Sequence, residues 1–299
     1  MKAPAFDYVA PAKLSEVFSL LAQHGDEAQL LAGGQTLLAT LNMRLSEPAL
    51  LIDLRHVAEL RGISLSSNAL RIGALVTHTQ IEQSDLVKTH APLLSMAAPY
   101  IAHQAIRNRG TWGGSIAYAD PAAEWPTCAL ALDAIVIVRG ERGERRIAAA
   151  DFFVDLYTTS LATGEVLIAC EIPLAGVGCV VGFEELARRH GDYAIVGLAA
   201  ALYLAAQQPQ QCARARLAFL GIGRTPFRAR QTEEFLVSRT LTDATCDEAA
   251  HILAAELQGD NAPLADLTNS AGTKRHLAGV LLRRVLQGLA RDQKEATHV

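Results

Sequence analysis

Between residues 13 and 54 the hydrophobic pattern switches repeatedly between two periods, and this fixes how the chain can begin to fold. KLSEVFSLLAQ (13–23) carries apolar residues at helical spacing and stops before His24-Gly25. AQLLAGG (28–34) is a short apolar run entering a glycine turn. TLLATLNMRL (36–45) returns to helical spacing with Thr36 as a candidate cap, and ALLIDL (49–54) follows Pro48 as another strand. Helix, strand, helix and strand in so short a span predict a small α/β lobe with a parallel strand pair. This first lobe spans 1–57.

A different pattern follows, predicting a second, α+β lobe over 58–176. Residues 63–67 and ALRIGALV (69–76) read as strands, THTQIEQSDLVKTH (77–90) as a short helix, and 92–108 as helical in its middle. CALALDAIVIVRG mixes helix and strand, RRIAAADFF closes a hairpin, and EVLIACEIP (165–173) is a strand ended by proline. The third unit, 177–290, opens with three antiparallel strands: VVGFEEL (180–186), YAIVGLAAALYLA (193–205) and ARARLAFLGIG (213–223). Alternation in ARARLAF predicts a half-solvated sheet. Helices over 246–257 and 273–289 follow, and RDQKEATHV (291–299) reads as a frayed tail.

Composition closes off several functions. The chain has 299 residues, half of them hydrophobic and 19% charged, which is a globular balance. Its net charge of −4 gives no field that would draw nucleic acid. The arginines of RGERGERR are interrupted by acids and read as a solvated hairpin loop. The N-terminus has no signal-like apolar run and the later runs, such as 194–206, are too short to span a bilayer, so a cytoplasmic protein is expected. Cysteines 128, 170, 179, 212 and 246 are scattered without metal-ligand or iron–sulfur spacing and read as buried thiols.

Two glycine segments carry the chemistry. In Leu31-Ala32-Gly33-Gly34-Gln35-Thr36, missing Cβ atoms let successive backbone N–H groups converge at a helix start, a geometry suited to phosphate. The same pattern also serves tight strand–helix packing. In Gly110-Thr111-Trp112-Gly113-Gly114-Ser115, after Arg107 and Arg109, the glycines offer free N–H groups and Thr111 and Ser115 offer hydroxyls. Asp120 then supplies an acceptor; the alternative is a helix stop and a tight turn. Two such segments suggest a large ligand spanning two lobes. Neither GxGxxG nor a P-loop is present, and Pro226 after Gly221-Ile222-Gly223 prevents a dinucleotide helix there. HExxH and GxSxG are absent, and structural roles are favoured for His78 and His103, of which His103 is the better placed to meet a ligand. Ligand nests with little acid–base equipment point to a cofactor that performs the chemistry.

Four anchors, in order, carry a family resemblance over essentially the whole chain: LLAGGQTLLATLNMRL with LIDL, LRIGAL with Thr77-His78, IRNRGTWGGSIAYADPAAEWP, and AGTKRHLAGVLLRR. The chain resembles the medium, FAD-binding subunit of the molybdenum hydroxylases, of the xanthine dehydrogenase and carbon monoxide dehydrogenase type. The resemblance implies an α+β fold: a two-lobed FAD-binding domain of the vanillyl-alcohol-oxidase-like (PCMH) type, then an antiparallel-sheet and helix flavoprotein domain. It implies non-covalent FAD, with its pyrophosphate on Ala32, Gly33, Gly34, Gln35 and Thr36. Thr111, Gly113, Gly114 and Ser115 would serve the cofactor from the second segment, near Ile101 or Ala102. Asp120 would bond a cofactor hydroxyl, Glu124 is the next acidic position, and Gly164 to Val166 and Tyr193 are softer carry-overs. Trp112 and Ser115 depart from the commoner Ile and Asn; Trp112, with Tyr118 and Trp125, forms an aromatic group read as core in preference to a subunit contact.

By this resemblance the substrate is oxidised elsewhere. A large subunit would hold the molybdenum cofactor, a small subunit two [2Fe-2S] clusters, and this chain would pass their electrons through FAD to an external acceptor. The assembly would be a dimer of heterotrimers. The missing iron–sulfur insert argues against the 4-hydroxybenzoyl-CoA reductase branch. The rival readings are a free-standing FAD oxidoreductase acting on a small substrate, and a non-enzymatic nucleotide-binding or assembly protein.

Overall fold

The computed structural model describes residues 2–189, 191–206 and 208–297. Strand β1 (Asp7–Val9), helix α1 (Leu14–His24), β2 (Ala28–Leu31), α2 (Leu37–Asn42) and β3 (Leu50–Asp53) build the first lobe. Its sheet has the order β1-β3-β2 with both pairs parallel, so the expected pair exists and a third strand joins it from Asp7–Val9. Leu50, Leu51 and Ile52 are all buried, as a central parallel strand requires. Helix α2 is shorter than its sequence pattern: Arg44 takes a left-handed φ of 57°, and the Leu45 N–H closes back on the Thr40 carbonyl. Thr36 does sit at the helix start, but its hydroxyl accepts no capping bond and its own backbone is already helical.

The second lobe contains β4 (Ile63–Leu65), β5 (Ala69–Gly73), α3 (His78–Gln83), α4 (Asp85–His90), α5 (Pro92–Ala97), α6 (Gln104–Arg107), α7 (Trp112–Tyr118) and α8 (Glu124–Ala131). The hairpin β6 (Ile135–Gly140) and β7 (Gly143–Ala148), α9 (Ala149–Phe152), the ribbon β8 (Phe153–Asp155) and β9 (Thr158–Thr159), and β10 (Val166–Pro173) complete it. Its antiparallel sheet runs β4-β5-β10-β6-β7. The helix expected over 77–90 is two helices, because Ser84 ends α3 and caps α4 by accepting the Val87 N–H. Residues 92–108 are helical at their ends, not in their middle. Pro99 lies in a 3-10 turn over Ala98–Tyr100, and Ala102 adopts a φ of 43°.

The third unit has β11 (Cys179–Leu186), β12 (Val196–Ala205), β13 (Gln208–Leu220) and β14 (Phe227–Arg228) in that order, all antiparallel. Helices α10 (Arg230–Leu236), α11 (Asp243–Glu256) and α12 (Ala271–Thr297) follow, α10 without a sequence forecast. The sheet is not half-solvated. Val196, Leu198, Ala200 and Leu202 pack with Leu253, Leu282 and Leu286 of α11 and α12, whereas Ala199, Ala201, Ala218 and Leu220 join the core of the N-terminal lobes. Covered on both faces, β12 needs the continuous apolar run GLAAALYLA. Helix α12 continues through Thr297 instead of fraying at 291; residues 298 and 299 lie outside the described residues. No helix among the described residues is long and apolar enough to cross a membrane.

Candidate functional site

The first glycine turn leaves β2 at the carboxyl edge of the parallel sheet, where such sheets bind ligands. Gly33 lies directly against the second lobe: a Cβ there would stand 2.8 Å from the Gly110 Cα and closer still to the Arg109 carbonyl oxygen. Gly34 has a φ of 73°, which lets the chain reverse into α2. The Gln35 amide folds back and donates to the Gly33 carbonyl at 3.0 Å. Among the described residues, the backbone N–H groups of Gly33, Gly34, Gln35 and Thr36 find no protein acceptor. Consecutive unpaired donors on a glycine turn form an anion cradle.

The second segment does something different from what its glycines suggested. Gly113 and Gly114 lie inside α7, and their N–H groups are spent: Gly113 donates to the Ala74 carbonyl at 2.9 Å and Gly114 to the Thr111 hydroxyl at 3.1 Å. Gly113 is needed for packing, since a Cβ would fall 2.5 Å from that of Ala74. No free nest forms there. Yet a Cβ on Gly114 would stand 3.7 Å from that of Ala32, so the two glycine segments do meet across the lobe boundary. The Ser115 N–H returns to the Thr111 carbonyl, and its side chain is partly buried.

Trp112 is core: it is 0% exposed and its ring lies 5.4 Å from that of Trp125. Trp125 in turn donates to His78 Nδ1 at 2.8 Å. Burial, with the Arg107 charge nearby, lowers the His78 pKa to about 4, so the ring is neutral and its Nδ1 is free to accept. The Trp112 indole N–H is buried without a nitrogen or oxygen acceptor and lies beside the Cys170 thiol.

A second neighbourhood forms after α7, where Ala119 turns the chain with a φ of 54°. Asp120 is 8% exposed; one oxygen accepts the Ala122 N–H at 2.9 Å, and burial raises its pKa. Glu124 opens α8, and burial, reinforced by the Asp120 charge, pushes it up to about 7. Glu185 on β11 is pushed to about 8 by burial and by Glu124, and its Oε2 has no hydrogen-bond partner. Tyr193, 73% exposed on the bend before β12, lies within electrostatic reach of Asp120, Glu124 and the Tyr118–Tyr157 pair, whose rings are 5.1 Å apart.

The loop carrying Ile101 and Ala102 is fixed from behind. The Arg107 guanidinium donates to both carbonyls, at 3.1 and 3.2 Å, and pairs with Glu82 at 3.0 Å. His103 packs beneath Gly191, where a Cβ would overlap its ring, so it braces the turn that presents Tyr193. Lys274, from the last anchor, donates to the Gly221 carbonyl at 2.9 Å, and the Gly221 N–H donates to the Pro121 carbonyl at 2.8 Å. The third unit thereby holds the turn that carries Asp120.

Gly164, with a φ of 80°, turns the chain before β10. A cleft of roughly 200 Å³ beside Gly33, lined by Arg55, Arg61, Asn108 and Arg109, escaped the sequence reading. Its arginines come from three separate segments and share no motif.

This architecture, two N-terminal lobes sharing a core with a helix-backed antiparallel sheet, is that of a PCMH-type flavoprotein. Residues 4–175 match the FAD binding domain in molybdopterin dehydrogenase, and residues 182–289 the CO dehydrogenase flavoprotein C-terminal domain. The chain belongs to the medium, FAD-binding subunits of the molybdenum hydroxylase family. It is 40% identical to the 6-hydroxypseudooxynicotine dehydrogenase complex subunit alpha of Paenarthrobacter nicotinovorans, over 96% of this chain and 95% of that one. Among solved structures it is similar to quinoline 2-oxidoreductase from Pseudomonas putida 86, with a TM-score of 0.90, 38% identity, and 98% and 99% of the two chains covered. Carbon monoxide dehydrogenase from Hydrogenophaga pseudoflava gives a TM-score of 0.92 at 33% identity, again over 98% and 99%.

Proposed function

We propose that this chain binds FAD and serves as the electron-transfer subunit of a molybdenum-containing hydroxylase complex. The observation that carries this is the run of unpaired N–H groups at Gly33, Gly34, Gln35 and Thr36, set where the two lobes touch. These residues fit the cofactor: the cradle suits a pyrophosphate, which brings negative charge to donors that the protein leaves unused. Ala32 sets the approach of the two segments, and Thr111, Gly113 and Gly114 hold the facing wall rigid. Ser115 adds a hydroxyl. Asp120 keeps one carboxylate oxygen free of backbone bonds for a cofactor hydroxyl, beside Glu124. Ile101 and Ala102 line the loop opposite, and Tyr193 offers an exposed ring to cover a flavin. FAD, when bound, supplies a redox centre that can take electrons singly and release them to an external acceptor.

In this reading a large molybdenum-cofactor subunit oxidises the substrate and a small subunit with two [2Fe-2S] clusters delivers the electrons. The complex is a dimer of heterotrimers in the cytoplasm, and an external acceptor drains it. The names of the relatives, a dehydrogenase complex subunit and medium subunits among them, support the partner subunits. Purification from the native source with metal and flavin analysis tests the reading: molybdenum, iron and yellow flavin should travel with this chain. A colourless chain, or one that turns over a substrate alone and free of metal, overturns it.

A further inference from the structure

Three arginines converge on the cleft beside Gly33, and none has a part in the function proposed above. Arg55 follows β3, Arg61 follows the 3-10 turn Ala58–Leu60, and Arg109 comes from the second lobe just before Gly110. Arg55 is locked in place: its Nε and Nη2 meet Asp53 Oδ2 at 2.7 and 2.5 Å. Asp53 is 1% exposed and also accepts the Tyr8 hydroxyl and the Arg55 N–H, each at 2.8 Å. Arg61 in turn donates to the Arg55 carbonyl.

The charges do not balance. Asp53 is committed to Arg55, and among the described residues Arg61 and Arg109 form no ion pair. Asn108 adds to the donor excess. Its Oδ1 already accepts from Thr79 at 2.8 Å and Gln104 at 2.9 Å, which leaves the amide N–H groups as donors. A cleft with surplus positive charge attracts anions, and guanidinium forks match the oxygens of a phosphate. The unpaired N–H run starting at Gly33, itself a lining residue, extends the donor surface.

We propose that this cleft is a phosphoanion site, in which Arg55, Arg61 and Arg109 grip the phosphates of a nucleotide from both lobes. Two nucleotides carry that chemistry: FAD itself, which rests on the function proposed above, and a separate nucleoside diphosphate, which does not. Pyrophosphate and ADP are titrated by calorimetry into the full chain, FAD-free and FAD-loaded, at two salt concentrations. The FAD-free chain should bind both probes, more weakly at higher salt, and R61Q/R109Q should lose at least tenfold in affinity while keeping its circular dichroism melt. If FAD loading abolishes probe binding, the cofactor's own phosphates fill the cleft. If it does not, the cleft takes a second nucleotide. Equal affinity in wild type and variant, or no probe binding at millimolar concentration, overturns the proposal. Should the double variant fail to fold, R109Q alone decides, since among the described residues Arg109 forms no ion pair. A chain that binds pyrophosphate through these arginines yet never binds FAD would refute the flavin reading and leave this one standing.

Discussion

Gly33 and the Arg109 carbonyl oxygen meet across the lobe boundary with no space for a side chain, because an added Cβ would overlap that oxygen. Both contact atoms on the Arg109–Gly110 side are backbone and cannot swing away. Gly33→Ala should therefore separate the turn from the second lobe, lower the melting temperature and weaken FAD binding at least tenfold in a fluorescence titration. An alanine variant that holds FAD as the wild type does would remove this turn from the cofactor's seat.

Trp112 should matter for stability, since it is fully buried against Trp125. Trp112→Ala is expected to cost about 3–5 kcal/mol in urea unfolding, the range for emptying a large aromatic from a core. Trp112→Phe should cost less and keep the flavin. Unchanged stability in the alanine variant would show that the ring works at a surface instead.

Glu124 and Glu185 set a pH dependence. Their folded pKa values, raised by burial to about 7 and about 8, lie above the usual glutamate value of about 4.3. The fold holds these protons more tightly than the unfolded chain, so their contribution is complete below about pH 4.3 and is lost as pH rises through 7 and 8. Thermal melts of the FAD-free chain should fall between pH 6 and pH 9, and E124Q/E185Q should flatten the decline. A decline of the same slope in that variant would place its cause elsewhere.

Lys274 is 7% exposed and divides its donors between the Gly221 carbonyl and Asp266, both at 2.9 Å. Lys274→Met should cost about 1.5–3 kcal/mol, the range for a charge-assisted hydrogen bond. It should also speed hydrogen exchange at the Gly221 amide, which bonds Pro121. Unchanged exchange would mean the turn is held by other contacts.

The parallel pair of the first lobe was readable because its period changes are local, and so was the Gly33-Gly34 turn. The reading of Gly113 and Gly114 as open donors failed for two reasons: the Thr111 cap takes the Gly114 N–H locally, and the Gly113 N–H goes to a distant partner. What consumes the Gly113 N–H is Ala74, far back in the chain, and no spacing reveals it. The arginine cleft was hidden in the same way, since Arg55 and Arg109 become neighbours only when Gly33 docks. In ARARLAF the alternation is real at Arg214 and Arg216, but the strand continues into Ala218, Phe219 and Leu220, which are buried on both faces. Asp120 stood out beside its proline, whereas Glu185, from a distant strand, gave no sign that it shares the buried environment of Glu124.

The chain of contacts from Lys274 through Gly221 to Pro121 also orders events in time. Synthesis runs from the N-terminus, and domains fold as they emerge. Both lobes leave the ribosome long before Lys274, so the Gly221 contact that holds the Asp120 turn is locked only when the last helix is made. A chain cut short before α12 would lack Lys274 and leave a slack seam beside the Asp120 turn, so making this helix is the step that finishes the pocket.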